Sequence, residues 1–149
     1  QIPFRHLCNL LQIHSGDVEA VLRQYDLNEE QYRRLKVRAQ CAWNWISRFS
    51  PEDFRFRLQT AEDPKAELSD AETAAMRGLR EAVERLEEHD EKSLGQAIYD
   101  AAHEAGIEPI ELFGAAYRAL IGKDKGPRLA GFIMTVGKER ALEILRRYA

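Results

Sequence analysis

The chain has 149 residues, of which 44% are hydrophobic and 32% charged, with a formal net charge of −3. That length makes about one domain, able to bury close to ~70% of its unfolded surface without help from disulfides or metals. The composition excludes a disordered segment, and no apolar run approaches the length of a membrane span. The opening residues, Gln1-Ile2-Pro3-Phe4, read as the middle of a longer polypeptide.

Helical signals run from end to end. Pro3 suits the start of a helix with Phe4, Leu7, Leu10 and Leu11 on one side, ended by Gly16. Asp17 starts a short helix through Val18, Val21, Leu22 and Tyr25. Asn28 and Gln31 form a capping box that opens a third helix, predicted to reach about Phe49 over roughly 33 Å. Its core stripe is Tyr32, Leu35, Ala39, Ala42, Trp43, Ile46 and Phe49. Ser50-Pro51-Glu52-Asp53 predicts a turn or two of helix at Phe54-Arg55-Phe56.

Residues 59–67 are polar and aperiodic and read as a linker. Ser69 and Glu72 repeat the capping box and open a helix with Leu68, Ala75, Leu79, Val83 and Leu86 on one face. A helix over about Ser93 to Ala105 stops at Gly106, and the next starts at Pro109, buries Leu112, Phe113, Ala116, Tyr117 and Leu120, and stops at Gly122. After Lys123-Asp124-Lys125-Gly126, Pro127 opens a helix with Arg128 in its first turn and Leu129, Phe132, Ile133 and Val136 inside. Gly137 breaks it, and a last helix runs to Tyr148. The prediction is an all-α fold of about eight helices in two packed lobes, residues 1–60 and 61–149.

Charge is sorted along the chain. Residues 33–57 carry a local +5 and residues 118–149 another +5, while 60–92 carry −6 and 93–117 carry −4. Two basic surfaces separated by an acidic one result, unless the helices simply have solvated faces of varied sign.

Catalytic patterns are missing. Lys123 and Lys125 lie near glycines, but no strand precedes them and no Ser or Thr follows at P-loop spacing. No nucleophile sits in a recognisable elbow. Cys8 and Cys41 fall in apolar helical stretches and read as reduced, buried thiols; with the scattered histidines they make no metal site.

Two surfaces carry binding chemistry instead. On the third helix Arg34, Arg38, Cys41, Trp45 and Arg48 share one face, about a third of a turn from the core stripe. Guanidinium groups beside an indole suit phosphate contact and base stacking; alternatively Trp45 packs inward and the arginine stems frame it. Trp43, in the core stripe, reads as structural. The second surface is Arg118 with Lys123, Lys125 and Arg128, cations delivered beside a helix start, where free amides favour phosphate.

Several stretches together resemble a known family. They are Pro3-Phe4-Arg5-His6-Leu7, then Ala42-Trp43-Asn44-Trp45-Ile46 with Ser50-Pro51-Glu52-Asp53-Phe54-Arg55-Phe56, then Glu111-Leu112-Phe113 and Tyr117 through Leu129, and last Phe132 with Gly137-Lys138-Glu139. In this order, over nearly the whole chain, they resemble the C-terminal region of class I, archaeal-type lysyl-tRNA synthetases. Glutamyl-tRNA synthetases share a similar ending, while the Phe-Arg-His-Leu start and the Trp…Ser-Pro-Glu segment favour lysine.

The resemblance implies an all-helical cage that receives the anticodon of tRNA(Lys), in the cytoplasm. It implies a parent ligase whose upstream catalytic domain handles ATP and Mg2+, neither of which this chain would bind, and no DNA or membrane partner. On that basis Lys123, Lys125, Arg128, Arg118, Arg34 and Arg38 are the expected phosphate contacts, with Trp45, Arg48, Arg55 and Arg57 on the base-reading side. Two alternatives stand beside it: the matching domain of a glutamyl-type synthetase, and a helical module that docks another protein.

Overall fold

Asn28 and Gln31 close the predicted box. The Asn28 side chain accepts from the Gln31 amide at 2.8 Å and the Gln31 side chain accepts from the Asn28 amide at 3.0 Å. In the computed structural model, which describes residues 2–149, eight α-helices and no strand occur among the described residues. The all-α expectation holds. The chain divides into a first unit ending at Arg57 and a second, Leu58–Ala149.

The first unit contains α1 (Phe4–Ile13), α2 (Val18–Leu22) and α3 (Glu29–Arg48), followed by a 3-10 turn at Glu52–Phe54. Leu7, Cys8, Leu10 and Leu11 of α1 pack with Val21 and Leu22 of α2 and with Leu35, Ala39, Ala42 and Ile46 of α3. Each large aliphatic chain removed from water there contributes about 1.5–3 kcal/mol. Gly16 joins α1 to α2 at φ +84°, and a Cβ on it would lie 2.4 Å from Cε2 of the Trp43 indole. Glycine is required twice over, for the left-handed backbone and for the aromatic lid above it.

Three expectations for this unit are corrected. Phe49 is 72% exposed, because α3 ends at Arg48 and the Phe49 backbone (φ −125°) leaves the helical projection. Cys41 is exposed, on the outer face of α3, whereas Cys8 is buried as expected, and both are free thiols. Burial pushes the Cys8 thiol up, against the opposing fields of Arg5 and Arg38. The helical turn lies at Glu52–Phe54, and Arg55 and Phe56 do not continue it. Arg55 is extended (ψ 141°), with its guanidinium donating to the Ser50 carbonyl at 3.0 Å. The Phe56 amide donates to the buried side chain of Gln12. The Gln12 bond, made from 44 residues away, outcompetes the local turn.

The second unit contains α4 (Asp70–Glu84), α5 (Glu91–Glu104), α6 (Pro109–Ile121), α7 (Leu129–Val136) and α8 (Lys138–Leu145), with a 3-10 turn at Leu86–Glu88. Ser69 and Glu72 cap α4 as a box. Helices α4 and α5 pack along each other most extensively, and Gly78 permits a close approach, since a Cβ there would come 2.8 Å from Cβ of Ala101. Helix α6 supplies Leu112, Ala115, Ala116, Tyr117, Ala119, Leu120 and Ile121 to the core, and Phe113 is only half-buried.

The polar stretch 59–67 is irregular but anchored to this unit. The Gln59 amide donates to the Leu120 carbonyl at 2.8 Å, Arg147 donates to the carbonyls of Thr60 and Asp63, and the Ala66 amide donates to the Tyr148 hydroxyl at 2.9 Å. The same contacts explain why α8 stops at Leu145 and the chain reaches Tyr148 in turns.

Candidate nucleic-acid interface

In the first unit α3 positions the basic face. Arg34 and Arg48 are exposed, and Arg38 is half-buried. Arg34 Nη2 meets Glu30 Oε1 at 2.6 Å, one turn back, with both side chains more than half exposed. Such a pair contributes little to stability, so its exchange for another anion costs little. Arg34 and Arg38 border an open groove of 620 Å³ with Tyr25, Leu27 and Leu35 on its walls. Behind this face Glu19 ties α2 to α3, accepting from the Tyr32 hydroxyl at 2.5 Å and pairing with Lys36 at 3.2 Å. The Tyr32 hydroxyl, foremost, and then Lys36 hold the Glu19 carboxyl below its usual range.

Trp45 is not a free platform. Its indole lies 5.3 Å from the Phe54 ring at 75° and 5.8 Å from the Phe4 ring at 60°, which is the inward-packing arrangement. Arg55 is tied to Ser50, whose hydroxyl is buried and donates to the Ile46 carbonyl at 2.7 Å. Arg57 is exposed.

In the second unit the loop after α6 is folded back on its helix. Gly122 ends α6 in the left-handed conformation (φ +70°), and the Tyr117 hydroxyl donates to the Pro127 carbonyl. A Cβ on Gly126 would come within 2.9 Å of Ile121 and 3.0 Å of Tyr117. Arg118 is brought to this loop, with Nη1 3.6 Å from Asp124, while its Nη2 lies 3.3 Å from Glu72. Lys125 is exposed, and Lys123 is half-buried. Arg128 is the N-cap residue of α7 and not part of its first turn, which carries no acid. The Arg128 side chain is 83% exposed and meets Glu91 at 3.4 Å.

The geometry thus gathers Arg118, Lys123, Lys125 and Arg128 around one loop, and Arg34, Arg38 and Arg48 along one helix face. It occupies Trp45, Arg55 and Arg118 with partners of their own. Among the described residues no group of three His, Cys, Asp or Glu is arranged for a metal, and no helix is long and apolar enough to cross a membrane.

Sequence reasoning missed a groove of 680 Å³ lined by α5, Phe113 of α6 and the start of α7. Tyr99 is 48% exposed there, although neighbouring Ile98 is buried. The available signal was an aromatic residue outside the buried stripe of α5, one turn after a helical glycine, Gly95.

Comparison with known proteins gives this arrangement a context. Residues 44–149 match a family described as an anticodon binding domain. The chain is 43% identical to a lysine–tRNA ligase of Treponema pallidum over 99% of its own length and 28% of that protein's. It is 35% identical to one from Borreliella burgdorferi, over 99% of the chain and 29% of the relative. It is 36% identical to one from Thermococcus kodakarensis, over 98% of the chain and 29% of the relative. The chain therefore spans less than a third of the length of these relatives.

Proposed function

Because the chain belongs to the anticodon-binding domain family, we propose that it holds the anticodon stem and loop of a lysine tRNA for a class I lysine–tRNA ligase. The observation that carries this reading is the 43% identity to a lysine–tRNA ligase over 99% of the chain. The relatives compared also favour lysine over the glutamyl-type alternative.

On this reading the cations of the two basic surfaces place the RNA. Arg34 and Arg38 on α3, and Lys123, Lys125 and Arg128 after α6, contact phosphates and set the register of the stem-loop. Arg118 acts one step back: its bonds to Glu72 and Asp124 hold the loop that presents the lysines. Trp45 shapes the α3 face from within, Arg55 is held at the surface by Ser50, and Arg48 and Arg57 remain the base-side candidates. Unpaired bases are then read by stacking and by hydrogen bonds to their edges. Aminoacylation, with its ATP and Mg2+, takes place on the portion of the enzyme outside this chain, in the cytoplasm.

Filter binding compares an isolated lysine anticodon stem-loop with an acceptor-stem minihelix. Retention of the stem-loop alone is expected. Preference for the minihelix, or no RNA binding at all, overturns the reading.

A further inference from the structure

The groove beside α5 has a chemistry of its own. The Tyr99 ring stands with nearly half its surface open to solvent. Phe113 packs edge-on against it, 5.8 Å between centroids at 73°, and so fixes its plane without covering it. One turn earlier on α5, a Cβ built on Gly95 would meet nothing within 4 Å. Neither packing nor backbone conformation asks for glycine there, and its effect is to leave the floor of the groove open at some cost to the helix.

Gln96 and Arg128 flank this aromatic wall, with Lys92 also on the lining. Gln96 donates one N–H to Asp100 at 3.0 Å, which leaves its amide oxygen and a second N–H available. Arg128 stands at the opposite rim, 83% exposed, against Glu91 at 3.4 Å. The acids of the rim are already engaged: Asp90 accepts from the Ser93 amide at 2.8 Å as the α5 cap, and Glu91 faces Arg128. What the groove offers a ligand is a fixed aromatic surface, an amide with both donor and acceptor, and a guanidinium held only by an exposed, exchangeable pair.

We propose that this groove is a subsite for one unstacked nucleotide of the anticodon loop, with the base against Tyr99, its edge toward Gln96 and an adjoining phosphate on Arg128. The assignment rests on the anticodon-binding reading above and adds to it a specific receptor for a single base. A ring fixed edge-on by a neighbour stacks with little further ordering, which favours a planar partner. The 680 Å³ of space accommodates one nucleotide. Displacing Glu91 by a phosphodiester keeps Arg128 paired.

The test uses the 149-residue chain and lysine anticodon stem-loops carrying 2-aminopurine at each loop position in turn. The wild type is expected to quench one position on binding. Tyr99→Ala removes that quench and weakens binding about five- to hundredfold, whereas Tyr99→Phe stays within about twofold. Gly95→Leu, which fills the groove from the same helix, reproduces the loss, with circular dichroism unchanged for every variant. Binding without a quenched position, or wild-type affinity in both Tyr99→Ala and Gly95→Leu, overturns the subsite and leaves the anticodon reading standing. Absence of stem-loop binding by the wild type overturns both.

Discussion

Arg118 donates to Glu72 across 46 residues of sequence, joining the last turns of α6 to the first turn of α4 at 3.3 Å. The same Glu72 accepts from the Ser69 amide at 2.9 Å, so one carboxylate serves both the cap of α4 and the posture of the basic loop. The Ser69 amide, and after it Arg118, hold the Glu72 carboxyl below its ordinary value of 4.5. A carboxyl depressed in the folded state contributes stability above its unfolded pKa and loses it as pH falls through the folded value. Glu72→Gln is therefore expected to be about 1 kcal/mol less stable than wild type at neutral pH. The two proteins should converge as pH falls below the ordinary carboxylate range and through the depressed folded-state value. Urea unfolding at several pH values measures both effects.

Gln12 is the buried polar residue that organises the end of the first unit. It is 3% exposed, donates to the Phe54 carbonyl at 3.2 Å and accepts from the Phe56 amide at 2.8 Å. Gln12→Ala leaves both backbone groups without that partner, and a loss of about 1–3 kcal/mol is expected in urea unfolding. Arg55 and Phe56 should also become more accessible to limited proteolysis.

Trp45 sits against Phe4 and Phe54, so its removal is expected to act on stability. Trp45→Ala should lose about 2 kcal/mol in thermal or urea unfolding. The fraction still folded should bind the anticodon stem-loop within about threefold of wild type, since stacking on a base would be worth more than that. A tenfold loss of affinity at unchanged stability would return Trp45 to direct base contact.

Arg128 is expected to contribute through phosphate. Arg128→Ala should weaken every tRNA alike and lower the slope of log affinity against log salt by about 1. A loss confined to one anticodon sequence would contradict that role.

Much of the fold was legible because helix ends are local. Asn28 with Gln31, Ser69 with Glu72, Pro109 and Gly122 each mark a boundary within a few residues, and each sits at or next to the helix end it signals. The basic loop was legible for the same reason, its cations being neighbours in sequence. What escaped was set by partners far along the chain. Nothing near Arg118 indicates Glu72, and nothing near Phe56 indicates that Gln12 will draw it out of a helical turn. A helical projection places Cys41 and Trp45 on one face but does not say which of them a neighbouring segment covers; Phe4 and Phe54 cover Trp45 and leave Cys41 exposed. The groove at Tyr99 depends on where Phe113 and Arg128 arrive in space, which periodicity does not encode.

The most direct test of the account is a titration of the chain, followed by its tryptophan fluorescence, with lysine tRNA and with the same tRNA carrying a swapped anticodon, across a series of salt concentrations. The account predicts tighter binding to the native anticodon, weakening steeply as salt rises. Equal affinity for the two tRNAs, or binding indifferent to salt, would contradict it.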